Sequence, residues 1–75
     1  MKITPIHYRR LCKVFEIEGF THARTKGDHL FYVKPGIRRP IVIPAVRDVP
    51  VFIIENNIRT AGIDRKRYFK ILEKI

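Results

Sequence analysis

Two tight turns restrict the fold of this chain more than any other feature of its sequence. Gly27-Asp28 and Pro35-Gly36 are separated by only six residues, and each is followed by an apolar run, Leu-Phe-Tyr-Val or Ile-Val-Ile, of the kind found in strands. The pattern predicts three strands, at residues 21–26, 29–34 and 38–44. Turns this short cannot make the crossover that parallel strands require, so the strands are expected to form an antiparallel meander.

Helices are predicted on both sides of the meander. Thr4 is suited to be an N-cap, with Pro5 at the first helical position, and Gly19 is suited to be the left-handed residue that ends this helix. Helical periodicity returns over residues 50–62, and Asp64 is placed to cap a short third helix. The faces expected to be buried carry, in chain order, Leu11, Val14, Phe15 and Glu18; Val51, Ile54, Ile58 and Ala61; and Tyr68, Ile71, Leu72 and Ile75.

The order helix, three strands, helix, helix predicts an α+β fold with the helices on one face of the sheet. Pro40 has no N–H to donate to a ladder, which confines the start of the third strand to a sheet edge. The strand at residues 29–34 is then the central one. Its uninterrupted apolar run predicts burial on both of its faces.

A formal net charge of +9, from 16 Lys and Arg against 7 Asp and Glu, limits the choice of partners. On so small a body this charge causes self-repulsion that nucleic acid, an acidic protein or an anionic membrane would relieve. The cations are scattered along the chain and do not form one amphipathic stripe, which disfavours a membrane-surface helix.

Length and composition predict a single domain, residues 1–75. No apolar run approaches the roughly 20 residues of a membrane span, and the N-terminus lacks the apolar stretch of a signal peptide, so a cytoplasmic location is expected. Cys12 is the only cysteine and cannot form an internal disulfide. One cysteine and three dispersed histidines do not give the spacing of a zinc site, and the four glycines are isolated, so no metal or other cofactor is expected.

The three histidines differ in position. His7 falls in the predicted first helical turn and His22 near the start of a strand, positions where a side chain is most often solvated. His29 directly follows the Gly27-Asp28 turn, where the sheet holds a side chain that still reaches solvent.

The predicted strand pairing in this hairpin places cations beside His29. With a two-residue loop, the numbers of paired residues sum to 55, which places Lys26 opposite His29 and Arg24 opposite Phe31. Arg24, Lys26 and His29 are therefore expected on one face. Taken alone, this pattern is also that of a solvated basic strand with a histidine beside its turn.

RNA cleavage needs few groups, and this face carries residues of the right types. A base must take the proton of the 2′-hydroxyl, cations must stabilise the charge on the phosphorane oxygens, and the leaving 5′-oxygen must be protonated. An imidazole titrates near neutral pH and suits the proton transfers. Neighbouring cations suit the developing charge.

These residues also carry a resemblance to a known family. The chain resembles the HicA toxins of bacterial and archaeal toxin–antitoxin pairs, whose Gly-Ser-His or Gly-Asp-His motif falls on Gly27-Asp28-His29. The resemblance implies a fold similar to the double-stranded-RNA-binding domain, ribonuclease activity on mRNA with His29 as the catalytic residue, and inhibition by a cognate HicB antitoxin. Arg24, Lys26 and Gly27, beside His29 in the hairpin, are expected to bind the RNA, and the net charge of +9 predicts that the antitoxin is acidic. The other segments that carry the resemblance are Glu18-Gly19-Phe20, Pro35-Gly36, the strand ending in Pro44, and Ala61-Gly62-Ile63.

The chain departs from the family pattern at Val46, where many members have histidine, at Phe52-Ile53, where a small Gly-Thr pair is usual, and at Asn57, usually apolar. The apolar residues Val49, Val51, Phe52 and Ile53 cannot all face one core. They indicate either a protein interface or a wide buried helix face.

A second cationic group, Arg65, Lys66 and Arg67, occupies the first turn of the third helix, where the macrodipole disfavours cations. Such a helix start is either a phosphate-binding arrangement or a solvated, screened cluster. Three functions therefore remain open: an mRNA-cleaving toxin, a non-enzymatic double-stranded-RNA-binding module, and a protein that only binds an acidic partner.

Overall fold

The computed structural model describes all 75 residues, Met1–Ile75. The three strands form one antiparallel sheet in the order β1-β2-β3, so β2 is central and β3 is an edge strand, as predicted. Two helices follow the sheet and one precedes it, which confirms the α+β class and is consistent with a fold like that of the double-stranded-RNA-binding domain. The elements are α1 (Tyr8–Ile17), β1 (Thr21–Lys26), β2 (His29–Lys34), β3 (Ile37–Pro44), α2 (Val51–Ala61) and α3 (Arg65–Leu72).

The core lies between the helices and one face of the sheet, which we call the inner face. On this face Tyr32 pairs with Ile41 and Leu30 with Ile43, and both isoleucines are fully buried. The Tyr32 hydroxyl donates to Glu16 of α1 at 3.0 Å, which ties the first helix to the central strand. The helices contribute further buried side chains, Leu11, Val14, Phe15, Ile54, Ile58, Ala61, Tyr68 and Ile71.

The prediction that β2 is buried on both faces is wrong. Tyr32 on the inner face is buried, whereas Val33 on the other face is 40 % exposed and Phe31 is only partly buried. The reason is that all three helices pack on the inner face. The continuous apolar run therefore makes the opposite face, which we call the outer face, apolar and open to solvent.

The predicted start of the first helix is also wrong. Neither Thr4 nor Pro5 begins it: α1 starts at Tyr8, and the N-cap is His7, whose Nδ1 accepts from the Arg9 backbone N–H at 3.1 Å. The preceding residues have a different role. Ile3 is buried, and the Ile6 carbonyl accepts from the Val49 N–H at 2.8 Å in an isolated antiparallel bridge.

The predicted helix ends and the third N-cap are confirmed. Gly62 (φ +73°) directly follows α2 and Gly19 (φ +95°) follows the α1 C-cap Glu18, and both glycines have positive φ. The Asp64 carboxylate accepts from the Arg67 N–H at 2.8 Å and caps α3. Of the side chains predicted to be buried, Glu18, Val51 and Leu72 are partly exposed and Ile75 is 37 % exposed.

A buried hydroxyl without a hydrogen-bond partner lies where α3 meets the core. Tyr68 is fully buried, and its Oη has no partner. Burial raises the pKa of this hydroxyl to about 12, against a smaller lowering by the Arg10 cation. Since a buried polar atom without a partner costs about 1–3 kcal/mol, Tyr68 contributes less stability than its size allows.

We therefore expect Tyr68→Phe to leave the free energy of unfolding at pH 7 unchanged or to raise it by about 1 kcal/mol. Because the folded-state pKa is raised, the unfolded state loses the Tyr68 proton first, and the wild type loses stability as pH rises from about 10 to 12. The variant should lose less over this interval, since only Tyr32 and Cys12, whose pKa values burial also raises, still contribute.

Urea unfolding at pH 7 and pH 11 measures both effects. Tyr8→Phe is the matched control at pH 7, because the Tyr8 hydroxyl already accepts a hydrogen bond from Arg9 Nε at the surface and its loss should bring no gain. A clear destabilisation by Tyr68→Phe at pH 7 would contradict the assignment.

Candidate active site

The turn between β1 and β2 sets the geometry of the site. Gly27 has φ +60° while Asp28 has negative φ, which is the pattern of a type II′ turn. Lys26 pairs with His29 and Arg24 pairs with Phe31, so the predicted register is confirmed. Nothing lies within 4 Å of the position that a Gly27 Cβ would take, so the glycine serves the turn conformation and leaves its surroundings open.

The third strand extends this register across the outer face. His29 pairs with Pro44 and Phe31 pairs with Val42. Each strand thus contributes two side chains to the outer face, and the six side chains form two rows that each run across all three strands. The strand β1 contributes cations, β2 an imidazole and a phenyl ring, and β3 apolar side chains. We call this group the outer patch; it consists of Lys26, His29, Pro44, Arg24, Phe31 and Val42.

A bulge in β1 keeps a second histidine out of the outer patch. The register shifts by one residue between His22 and Arg24, so that His22 pairs with Tyr32 on the inner side. There His22 Nε2 lies 2.7 Å from Thr25 Oγ1, and its ring lies 5.4 Å from that of Tyr32. Without the bulge, strand alternation would place His22 on the same face as Arg24 and Lys26.

The His29 imidazole is held by its neighbour. Its Nδ1 lies 2.9 Å from Asp28 Oδ1, and about half of the side chain is exposed. Asp28 accepts, so in the neutral ring the proton resides on Nδ1 and the lone pair on Nε2. Nε2 makes no hydrogen bond within the chain and is available as a proton acceptor.

The turn itself is tied to the rest of the molecule by backbone hydrogen bonds. The Asp28 carbonyl accepts from the Ala45 N–H at 2.7 Å. The carbonyl of Val46, the residue after Ala45, accepts from the Tyr8 N–H at 3.2 Å. The first bond links the turn to the segment after β3, and the second links that segment to the start of α1. The backbone beside His29 is therefore held by this segment as well as by the sheet.

The cations beside His29 are not neutralised by the protein. Arg24 and Lys26 have no carboxylate within 4.0 Å, and Asp28 is the only acidic residue between positions 21 and 34. The Arg24 guanidinium carbon lies 4.5 Å from the centre of the Phe31 ring, a cation–π contact. Both cations remain able to bind an anion that approaches the outer face.

The second cationic group is not brought to His29. Arg65, Lys66 and Arg67 lie at the start of α3, which packs on α1 in the helical layer. Arg67 pairs with Glu18 at 2.6 Å, and Arg65 lies 3.7 Å from Glu55 and donates to the Met1 carbonyl at 2.9 Å. Only Lys66 has no such partner, so the expected cluster of three free cations is reduced to one.

Other candidate residues occupy different surroundings. Cys12 is buried, as expected for a packing residue, and burial raises the pKa of its thiol. No group of three or more His, Cys, Asp or Glu side chains is placed to hold a metal ion. The largest concavity, about 620 Å³, is lined by Ile3, Ile58 and Lys66 among others and does not include His29, which lies on an open surface.

Two of the positions that depart from the family pattern, Asn57 and Ile53, have structural explanations, whereas Val46 is 37 % exposed. Asn57 is buried, and its amide donates to the Val42 carbonyl at 3.1 Å, which joins α2 to β3. Val49 is fully buried and Val51 and Ile53 are partly buried, so these three belong to a wide buried face. Phe52 is the exception, at 64 % exposure.

Sequence reasoning missed three members of the outer patch, Phe31, Val42 and Pro44, as functional candidates. The hairpin register already placed Phe31 beside Arg24. Counting cross-strand pairs from the turn after β2 would have assigned Val42 and Pro44 to the wrong partners by a small offset, because the register shifts between Tyr32 and Lys34.

Comparison with known protein families assigns the chain to a family. A family model described as the HicA toxin of bacterial toxin–antitoxin systems matches residues 8–63, three quarters of the chain and the whole span from α1 through α2. A search of curated proteins found no match. No helix combines the length and the apolar character needed to cross a membrane. The chain belongs to the HicA toxin family and is the toxin component of a toxin–antitoxin pair.

Proposed function

We propose that this toxin is a metal-independent endoribonuclease that cleaves mRNA at the outer patch, with His29 as the general base or acid. One observation carries the proposal: His29 is oriented by Asp28 through Nδ1, keeps Nε2 free, and stands beside two unpaired cations on an open face. A binding module needs cations but has no use for an oriented imidazole. An open face also accepts a polymer, which a closed pocket would not.

The reaction follows from the groups present. His29 Nε2 accepts the proton of a ribose 2′-hydroxyl, and the 2′-oxygen attacks the adjacent phosphorus. The new bond from this oxygen to phosphorus replaces the bond to the 5′-oxygen, which leaves and takes a proton from solvent water. The products are a 2′,3′-cyclic phosphate and a 5′-hydroxyl end. The Asp28 carboxylate keeps the imidazole in the required tautomer and stabilises the imidazolium that forms.

The cations supply the electrostatic part of the reaction. Lys26, directly opposite His29, is placed to stabilise the charge that develops on the phosphorane oxygens. Arg24, one row away, is placed to hold the RNA backbone next to the scissile phosphate. In this proposal Lys66 at the start of α3, with its neighbours Arg65 and Arg67, contacts RNA only beyond the outer patch.

The partner in the toxin–antitoxin pair is proposed to be an acidic, HicB-like protein that covers the outer patch. Burial of His29 would exclude the substrate, and negative charge would relieve the self-repulsion of a chain with net charge +9. The mRNA substrate places this activity in the cytoplasm.

The catalytic assignment is tested by His29→Ala. The variant should keep the fold, because the side chain is about half exposed. Its cleavage rate should fall by about 10²- to 10⁴-fold, the usual contribution of a general base. Purified proteins are compared on total RNA in the presence of EDTA.

The matched control for this test is His22→Ala, the same substitution on the same sheet but on its inner face. It should cleave RNA like the wild type. Undiminished cleavage by His29→Ala would end the catalytic assignment. Loss of wild-type activity in EDTA would end the metal-independent one, and RNA binding without any cleavage would favour the non-enzymatic RNA-binding module.

The cation roles are tested by the salt dependence of RNA binding. Replacing Arg24 or Lys26 by Ala should weaken binding and reduce the slope of log affinity against log salt by about one unit for each phosphate contact that is lost. Lys66→Ala should leave the slope unchanged for a short oligonucleotide that covers only the outer patch and reduce it for a longer RNA. Unchanged slopes in Arg24→Ala and Lys26→Ala would mean that RNA binds elsewhere.

The partner surface is tested by hydrogen exchange. The toxin purified with the product of the neighbouring gene should show slower exchange of backbone amides in β1, β2 and their turn than the toxin alone. Residues 51–55, which include the exposed Phe52, show whether the interface extends to α2. Protection confined to surfaces remote from residues 24–29 would contradict an antitoxin that covers His29.

A further inference from the structure

We propose that Arg24 and Phe31 form a stacking platform for one unpaired nucleobase, which makes single-stranded RNA the substrate class of this toxin. The inference rests on the proposed ribonuclease function and deepens it. It concerns two residues whose contact the cleavage chemistry does not require. An aromatic ring on an exposed sheet face needs an explanation, because no element of the chain covers it.

Arg24 and Phe31 form a cation–π pair on the outer face. Phe31 is partly buried among its neighbours in the sheet, while Arg24 is exposed and lies over the ring, 4.5 Å from its centre. The guanidinium is planar, and its central carbon lies over the phenyl ring. It makes no ion pair within the chain and is exposed to solvent. Bases of single-stranded RNA stack on aromatic rings and on guanidinium planes of this kind.

The position of the platform relative to His29 fits one nucleotide step. Residues two apart on a strand lie about 6.7 Å apart on the same face, so the Phe31 ring is one row from the imidazole. A base held on Arg24 would immobilise its own ribose and phosphate next to the proton acceptor. Positioning of this kind turns a loosely bound polymer into a reactant with a fixed scissile bond.

The platform selects against double-stranded RNA. In a duplex the faces of each base are covered by its neighbours, and recognition is limited to phosphates and 2′-hydroxyls. An unpaired base has a free face that can cover the Arg24 guanidinium. The cations of the outer patch attract both forms of RNA, so discrimination between them must come from the stack.

The test uses the full chain and RNA that cannot be cleaved. The probe is a short single-stranded 2′-O-methyl oligonucleotide that carries 2-aminopurine, compared with the same strand paired to its complement. Anisotropy gives the dissociation constant, and the fluorescence of 2-aminopurine reports its stacking. We expect the wild type to bind the single strand more tightly than the duplex and to change the fluorescence of the bound base.

Two variants separate stacking from charge. Phe31→Leu keeps an apolar side chain in the sheet, and Arg24→Lys keeps the charge but removes the planar group. Each should weaken single-strand binding by about 5- to 100-fold and reduce the fluorescence change, with the salt slope unchanged in Arg24→Lys. Phe31→Tyr should bind like the wild type. Phe52→Leu, the same substitution at an exposed ring on α2, is the matched control and should have no effect.

The results distinguish this inference from the catalytic proposal. If Phe31→Leu and Arg24→Lys bind the single strand as well as the wild type, or if the duplex binds equally tightly, the platform is wrong even when His29→Ala abolishes cleavage. If the fluorescence depends on Phe31 but His29→Ala still cleaves, the platform stands and the catalytic assignment fails. Loss of antitoxin binding in Phe31→Leu with RNA binding intact would make the patch a protein surface and overturn the inference.

Discussion

The two-residue turn at Gly27-Asp28 is the constraint on which the site depends. Side chains alternate with a period of two along a strand, so a slip of one residue would move the whole hairpin to the opposite face. His29 would then point toward the helices, and Leu30 and Tyr32 would lose their places opposite Ile43 and Ile41. The core and the candidate active site are thus fixed by the same register, and neither can form without the other.

The same constraint explains why an apolar surface is left exposed. Three helices cover one face of the three-stranded sheet, and none of these elements covers the other. The outer face nevertheless carries Phe31, Val33 and Val42, which are of little use to a solvated strand. Val33 is exposed and the other two are only partly buried, which indicates a surface whose partner is another molecule, because apolar residues gathered on one open face usually mark an interaction site.

Much of the fold could be predicted because it depends on local chemistry. Turn residues fixed the strands and their pairing, and Gly19, Gly62 and Asp64 fixed helix termini. The start of α1 could not be predicted in this way, since Thr4 and Pro5 satisfy every local rule for a helix start. Ile3 is buried and Ile6 pairs with Val49, so this segment is extended and the helix starts later. The Ile6–Val49 bridge joins residues far apart in the chain, which local rules do not take into account.

The site was predictable to the same extent. The register alone placed Arg24, Lys26 and His29 together, because cross-strand pairing near a short turn is a matter of counting. The bulge that turns His22 away has no signal in the residues Thr21 to Lys26, and it depends on contacts such as that of His22 with Thr25. Side-chain orientation of His29 by Asp28 likewise depends on rotamers, which a sequence does not specify.

The distribution of charge shows how a strongly basic chain can fold and still present its cations. Glu18 pairs with Arg67, Glu55 lies near Arg65, and Asp64 caps α3, so acidic residues stabilise the helical layer against its own positive charge. The hairpin receives only Asp28, and that carboxylate is engaged by the imidazole. Arg24 and Lys26 are left without an internal counter-ion, and a polyanion that approaches the sheet displaces no protein contact to reach them. Repulsion between the positive charges on this face is relieved when a polyanion binds, and this relief favours binding.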